Sequence, residues 1–88
     1  MEICVKKNTL TGGVNAVFEH KGSWHYADLS SIGWGKNECM IFPCDKDCSN
    51  VNFGCEEFVA YTNAISEEDL KDCIDMFCVG IIWNDCTN

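Results

Sequence analysis

The chain contains no arginine, a single proline and no long apolar run. Arginine is the residue that most often grips phosphates and reads base edges, so its absence from a chain of net charge −8 argues against direct binding of nucleic acid. The longest apolar stretch, residues 79–83, is interrupted by Gly80 and falls far short of the roughly 20 residues that a membrane span requires. We therefore expect neither nucleic acid nor a membrane to be the partner.

A secretory signal is also lacking, because Glu2 stands where a signal peptide carries positive charge and no apolar segment follows it. This predicts a cytoplasmic protein. The alternative is the mature part of a secreted protein. We expect a single compact domain over residues 1–88, because a second core would leave too few residues for each.

Motifs for catalysis are missing as well. Residues 11–13, Thr-Gly-Gly, lack the glycine and lysine that complete a phosphate loop, and residues 45–47 open no complete calcium loop. The two histidines, His20 and His25, are expected to lie solvated at the end of a sheet rather than to share a metal ion. The sequence therefore predicts no enzyme, no catalytic residue and no cofactor.

Alternating apolar residues predict strands over residues 2–7, 14–20, 23–29, 38–42 and 57–61. A tight turn centred on Gly22 and Ser23 would set His20 opposite His25. Segment 30–37 is expected to be a loop whose Trp34 packs back onto the fold, and Pro43 is expected to end the fourth strand. The residues expected on the buried face of the central hairpin are Ala16, Phe18, Ala27 and Leu29.

The clearest predicted element is a C-terminal helix. Ser66 is typical of an N-cap, and the three acids after it suit the first turn of a helix. Gly80 predicts the end of the helix. Residues 81–83 are expected to form a last short strand or a packed tail. The fold class is therefore predicted to be α+β, a mainly antiparallel sheet of four to five strands with one C-terminal helix packed across it. The apolar stripe of this helix is Leu70, Cys73, Ile74, Phe77, Cys78 and Ile81.

Eight cysteines are a high density for this length, and three explanations remain open: disulfides, a metal site, or reduced thiols. Cys39, Cys73 and Cys78 fall at core positions and are expected to pack as small apolar side chains. The three cysteines of the polar loop 44–55 are expected to be cross-linked, metallated or exposed. No Cys-x-x-Cys pair is present. The candidate ligands for zinc or an iron–sulfur cluster are Cys39, Cys44, Cys48 and Cys55.

The acidic excess lies entirely in the second half of the chain. Residues 1–43 carry no net charge, and residues 44–88 carry −8. Such a concentrated negative field favours association with a basic surface, and the alternative is that it only keeps the protein soluble. The candidate partner-binding residues are Asp45, Asp47, Glu67, Glu68, Asp69, Asp72 and Asp75.

In size, one-sided acidity, and lack of arginine and catalytic residues, the chain is similar to the small acidic proteins that phages use to block host defence nucleases. Those proteins often present carboxylates to a basic groove and so displace nucleic acid. The resemblance implies a non-enzymatic inhibitor of a nuclease or another nucleic-acid-binding protein. The alternatives are a secreted disulfide-rich module and a small zinc or iron–sulfur protein. In a rival mode of binding, Trp24, Tyr26 or Trp34 of the neutral half would contact the partner.

Overall fold

The computed structural model describes residues 3–7, 13–46 and 50–80. Five strands form one antiparallel sheet in which each strand pairs with the next along the chain, and a helix follows the last strand. This confirms the predicted α+β fold class. The predicted segment 81–83 lies outside the described residues. The elements are β1 (Ile3–Lys7), β2 (Val14–His20), β3 (Ser23–Gly33), β4 (Lys36–Cys44), β5 (Phe58–Thr62) and α1 (Glu67–Cys78).

One face of the sheet, covered by α1, forms the core. Successive side chains of a strand point to opposite faces, and the register aligns the inward residues in rows. In the central row Ala16 lies opposite Ala27, Ala27 opposite Ile41, and Ile41 opposite Phe58. All four are fully buried. The helix contributes its predicted stripe to the same cluster: Leu70, Cys73 and Ile74 are buried, and Phe77 and Cys78 are partly buried against it.

The helix begins and ends as its sequence predicts. Ser66 is the N-cap in an extended conformation, and its Oγ accepts a hydrogen bond from the backbone N–H of Asp69. The helix ends at Cys78, and Gly80 follows with a φ of 92°, a left-handed conformation that suits glycine. The Val79 N–H donates back to the carbonyl of Asp75, which satisfies one of the free carbonyl groups at the end of the helix.

The predicted register of the β2–β3 hairpin is wrong by two residues. His20 lies opposite Ser23, and Phe18, not His20, lies opposite His25. The two turn residues are Lys21 and Gly22, with φ angles of 52° and 79°, and positive φ at both positions defines a type I′ turn. This turn suits the right-handed twist of paired strands. Because side chains alternate with a period of two, the shift keeps every residue on its predicted face, and the expected buried set is confirmed.

The predicted loop over residues 30–37 is also wrong. β3 continues through a bulge to Gly33, β4 begins at Lys36, and Trp34 and Gly35 alone form the turn between them. Their φ angles are 58° and 73°, so this is a second type I′ turn. Trp34 does not pack back onto the fold, because a residue at the centre of so tight a turn points away from both strands. Its side chain is 99% exposed.

β4 continues beyond the point where Pro43 was expected to end it. The strand runs to Cys44, which forms a β-bridge with Val51. Proline is tolerated close to the end of a strand, where few ladder hydrogen bonds are lost. The Pro43 carbonyl still accepts a hydrogen bond from the Asn52 N–H at 2.9 Å. The loop after β4 is therefore pinned to the end of the strand.

The helix–sheet packing leads to a stability prediction. Ile74→Ala should lower the free energy of unfolding by about 2–5 kcal/mol, because it leaves a cavity between α1 and the sheet. Met76→Ala, on the exposed side of the same helix, should change it by less than about 1 kcal/mol. Urea denaturation followed by circular dichroism measures both. Equal losses in the two variants would contradict the packing.

Candidate partner-binding surface

The outer side of α1 carries an acidic helix surface, defined as Glu67, Glu68, Asp72 and Asp75. These four side chains are exposed because Leu70, Cys73 and Ile74 turn the opposite side of the helix toward the sheet. Glu68, Asp72 and Asp75 follow one another at intervals of four and three residues, so they form one row along the helix.

The carboxylates of this surface have no neutralising partner among the residues that the structure describes. The one ion pair in those residues joins His25 and Glu57, on the sheet side of the molecule. The last turn of α1 contains no basic residue, and the only lysine in the helix is Lys71. The negative charge of Asp75 also affects a neighbouring thiol. The pKa of Cys78 is raised first by burial and then by this charge.

The other predicted acidic residues are placed differently. Asp69 is half-buried, and its Oδ2 accepts a hydrogen bond from Ser66 Oγ at 2.6 Å, so this carboxylate is engaged in capping the helix. Asp45 is exposed, and its Oδ2 accepts from the side-chain amide of Asn50 at 2.8 Å. Asp45 comes directly after β4, and the end of β4 lies at the same end of the sheet as the Lys21–Gly22 turn. The helix α1 begins near the opposite end of the sheet. Asp47 lies outside the described residues.

A second exposed feature, absent from the predicted site, lies at the tip of the β3–β4 hairpin. Three large side chains form this hairpin-tip surface: Trp34, which is 99% exposed, Tyr61, 64% exposed, and Ile32, 48% exposed. A shallow open cavity of about 270 Å³ lies beside it, with Lys36 and Tyr61 among its lining residues. Of the aromatic residues considered for the rival mode of binding, Trp24 and Tyr26 are instead half-buried.

The hairpin tip and the start of α1 lie at the same end of the sheet. Asn37, just after the tip, pairs with Thr62 at the end of β5. Residues 63–66 alone connect Thr62 to the first residue of the helix. The apolar tip and the first acidic residues of the helix, Glu67 and Glu68, can therefore face one partner together.

His25 corrects the expectation of solvated histidines. It is 5% exposed, and its Nδ1 lies 2.8 Å from Glu57 Oε1. Because a carboxylate accepts hydrogen bonds, this contact favours the ring tautomer that carries its proton on Nδ1. The ring stacks on Phe18 at 5.3 Å between centroids and meets Phe77 edge-on at 5.0 Å. His20 is half-buried, and the centroid of its ring lies 6.4 Å from that of His25.

The His25–Glu57 pair has the orientation of a general base held by a carboxylate, but its surroundings are those of a core contact. None of the described serine, threonine or cysteine side chains hydrogen bonds to His25. The pair ties the segment before β5 to β3, and Glu57 adds a backbone hydrogen bond to Ile41 at 2.7 Å. No local pattern in the sequence points to this pair, because its partners are 32 positions apart and only the sheet register brings them together.

The candidate metal ligands are not brought together where the structure describes them. Cys39 is fully buried on the helix side of the sheet. Cys44 lies five residues later on the same strand and so points to the other face, beside Val51. Cys55 is half-buried in the loop, and Cys48 lies outside the described residues. Within residues 13–46 and 50–80, no group of three or more His, Cys, Asp or Glu side chains is arranged to hold a metal ion.

Comparison with known proteins gives no relative. No family model matches the sequence, and neither a curated protein nor a solved structure is significantly similar to it. In the described part of the chain, α1 is too short and too polar to cross a membrane.

The buried histidine gives a prediction for a double-mutant cycle. Glu57→Ala should destabilise the protein by about 1–3 kcal/mol, because the His25 Nδ1–H loses its acceptor while it stays buried. In a His25→Leu background the same change should cost less than about 0.5 kcal/mol, because no buried donor remains to be satisfied. Thermal or urea unfolding measures the cycle, with the exposed Glu19→Ala as the control. The same cost in both backgrounds would show that Glu57 acts without His25.

Proposed function

We propose that the chain is a small non-enzymatic binding protein that meets a basic surface of another protein through its acidic helix surface. The observation that carries this proposal is the row of exposed carboxylates at Glu68, Asp72 and Asp75 without a neutralising partner in the described residues. The partner class that fits is a nuclease or another nucleic-acid-binding protein, since such proteins expose Lys and Arg to phosphates. Binding there would block nucleic acid, as an inhibitor of host defence does.

Physical considerations support the helix rather than the loop as the contact. A helix held by a buried stripe presents its outer side chains from a rigid backbone, so little ordering entropy is lost on binding. The carboxylates repel one another when the protein is alone, and a cationic partner relieves that repulsion. Asp45, by contrast, already accepts a hydrogen bond from Asn50 in a loop.

Charge reversal on the helix tests the proposal. Asp72→Lys with Asp75→Lys should slow association by about tenfold or more and change dissociation much less, because long-range attraction acts mainly on the encounter. Added salt should weaken the wild-type complex in the same way. The measurement is biolayer interferometry against the protein recovered on the immobilised wild-type chain.

Single reversals provide the matched control. Asp72→Lys and Glu19→Lys change the net charge equally, and both positions are exposed, but Glu19 lies on β2 in the neutral half. Only the helix variant should slow association. If the two variants behave alike, or if affinity is indifferent to salt, the acidic helix surface is not the contact and its charge serves solubility.

The exposure of Trp34 favours a second mode of binding, in which the hairpin-tip surface inserts into an apolar pocket of the partner. Tryptophan is enriched at the energetic centres of interfaces. A non-glycine residue with positive φ is uncommon and costs roughly 1–2 kcal/mol, and such strain is concentrated at functional positions. Trp34 has such a positive φ, and its large indole side chain is exposed to solvent at the tip of the turn.

Equivalent substitutions in the two type I′ turns test this second mode. Trp34→Asn and Lys21→Asn each replace the first turn residue by one that tolerates positive φ, so each should raise the free energy of unfolding by up to about 1 kcal/mol. Trp34→Asn alone should weaken partner binding, by roughly thirtyfold for a loss of about 2 kcal/mol. Interferometry and thermal unfolding give the two readouts. Unchanged affinity in Trp34→Asn would exclude the tip from the interface.

A further inference from the structure

The cysteines Cys39 and Cys73 meet inside the core. Cys39 lies on the inward face of β4, opposite Leu29 on one side and Ala60 on the other. Cys73 lies on the buried side of α1. Their exposed fractions are 0% and 1%, both belong to the same cluster of packed side chains, and both are free thiols. Cys39 faces α1 from the sheet and Cys73 faces the sheet from α1, and the two thiols are hydrogen-bond partners there.

We propose that Cys39 and Cys73 are a disulfide-forming pair that links α1 to β4 when the protein meets an oxidising environment. The fold favours this pairing, because β4 and α1 present the two buried thiols to the same part of the core. Thirty-three residues separate them along the chain, so a bond between them would close a long loop and restrict the unfolded state strongly.

Other pairings have no comparable support in the described residues. Cys73 and Cys78 are five positions apart on one helix, which places them about 140° apart around its axis. Cys44 points to the opposite face of the sheet from Cys39, and Cys55 is in the loop before β5. The helix–sheet contact of Cys39 with Cys73 is therefore the arrangement that the fold itself provides.

The two thiols have different chemical roles. The hydrogen bond from Cys39 lowers the pKa of the Cys73 thiol, while the same bond, together with burial, raises the pKa of Cys39. Cys73 is therefore the thiol that ionises first and attacks. Since both are buried, the attack follows a transient opening of α1 from the sheet, and oxidation should be slow.

With oxidised glutathione as the oxidant, the reaction balances in two exchanges. The Cys73 thiolate attacks one glutathione sulfur, which forms a mixed disulfide and releases one glutathione thiolate. Cys39 then gives its proton to solvent and attacks the Cys73 sulfur, which releases the second glutathione thiolate. The two protein thiols lose two electrons, and the two released thiolates take up the two protons that the cysteines lost.

The experiment is to incubate the purified reduced chain with oxidised glutathione and map its disulfides. Trypsin and cyanogen bromide cleave after Lys36, Met40, Lys71 and Met76, so Cys39 is the only cysteine in fragment 37–40 and Cys73 the only one in fragment 72–76. Mass spectrometry without reduction should show these two fragments joined. If either cysteine stays reduced while others are oxidised, or is found mainly with another partner, the proposal is wrong.

Thermal unfolding of the oxidised protein gives an independent readout. Closing this loop should raise the melting temperature by about 10 °C or more, and dithiothreitol should reverse the rise. Cys78→Ser, on the same helix, should keep the rise, and Cys73→Ser should lose it. If Cys73→Ser does not fold, the fragment map of the wild-type chain still decides. A rise of equal size in a folded Cys73→Ser variant would assign the stabilisation to another disulfide.

Discussion

The packing of α1 on one face of the sheet is the interaction on which the rest of the structure depends. Leu70 and Ile74 belong to the same buried cluster as Phe58 and Ala27 of the strands, and their burial fixes the rotation of the helix about its axis. Once the rotation is fixed, Glu68 and Asp72 must point to solvent. The same packing sets Cys73 against Cys39. The acidic helix surface and the buried thiol pair are thus two consequences of one contact.

The two tight turns are the second constraint. A type I′ turn accepts only two residues between its strands, so each turn decides which residues lie opposite each other along the whole hairpin. In the β2–β3 hairpin this places His25 beside Phe18 and within reach of Glu57, where a carboxylate satisfies its buried ring. In the β3–β4 hairpin it leaves Trp34 with no strand to pack against. One turn geometry therefore accounts for both a buried histidine and an exposed tryptophan.

The row of carboxylates and the most exposed aromatic side chain lie on different elements of the described structure. The helix carries carboxylates that form no ion pair in the described residues, and the hairpin tip carries aromatic and aliphatic side chains. An apolar contact supplies affinity at short range, whereas carboxylates act over about 10 Å at ordinary ionic strength and govern the encounter. Because α1 begins at the same end of the sheet as the tip, one partner can meet both features. The two modes of binding are distinguishable, since salt affects one and not the other.

Local pattern in the sequence determined the α+β class, the strand faces and both ends of the helix, from Ser66 to Gly80. These follow from alternation, capping chemistry and helical spacing, which involve residues close together in the chain. The acidic row on the helix could be predicted for the same reason. Only the tertiary structure decided the His25–Glu57 pair, the contact of Cys39 with Cys73 and the exposure of Trp34. The first two join residues more than thirty positions apart, and no local pattern encodes which strands and helix meet. The third depends on where a two-residue turn falls, and a shift of register by two residues leaves the alternation of the strands unchanged.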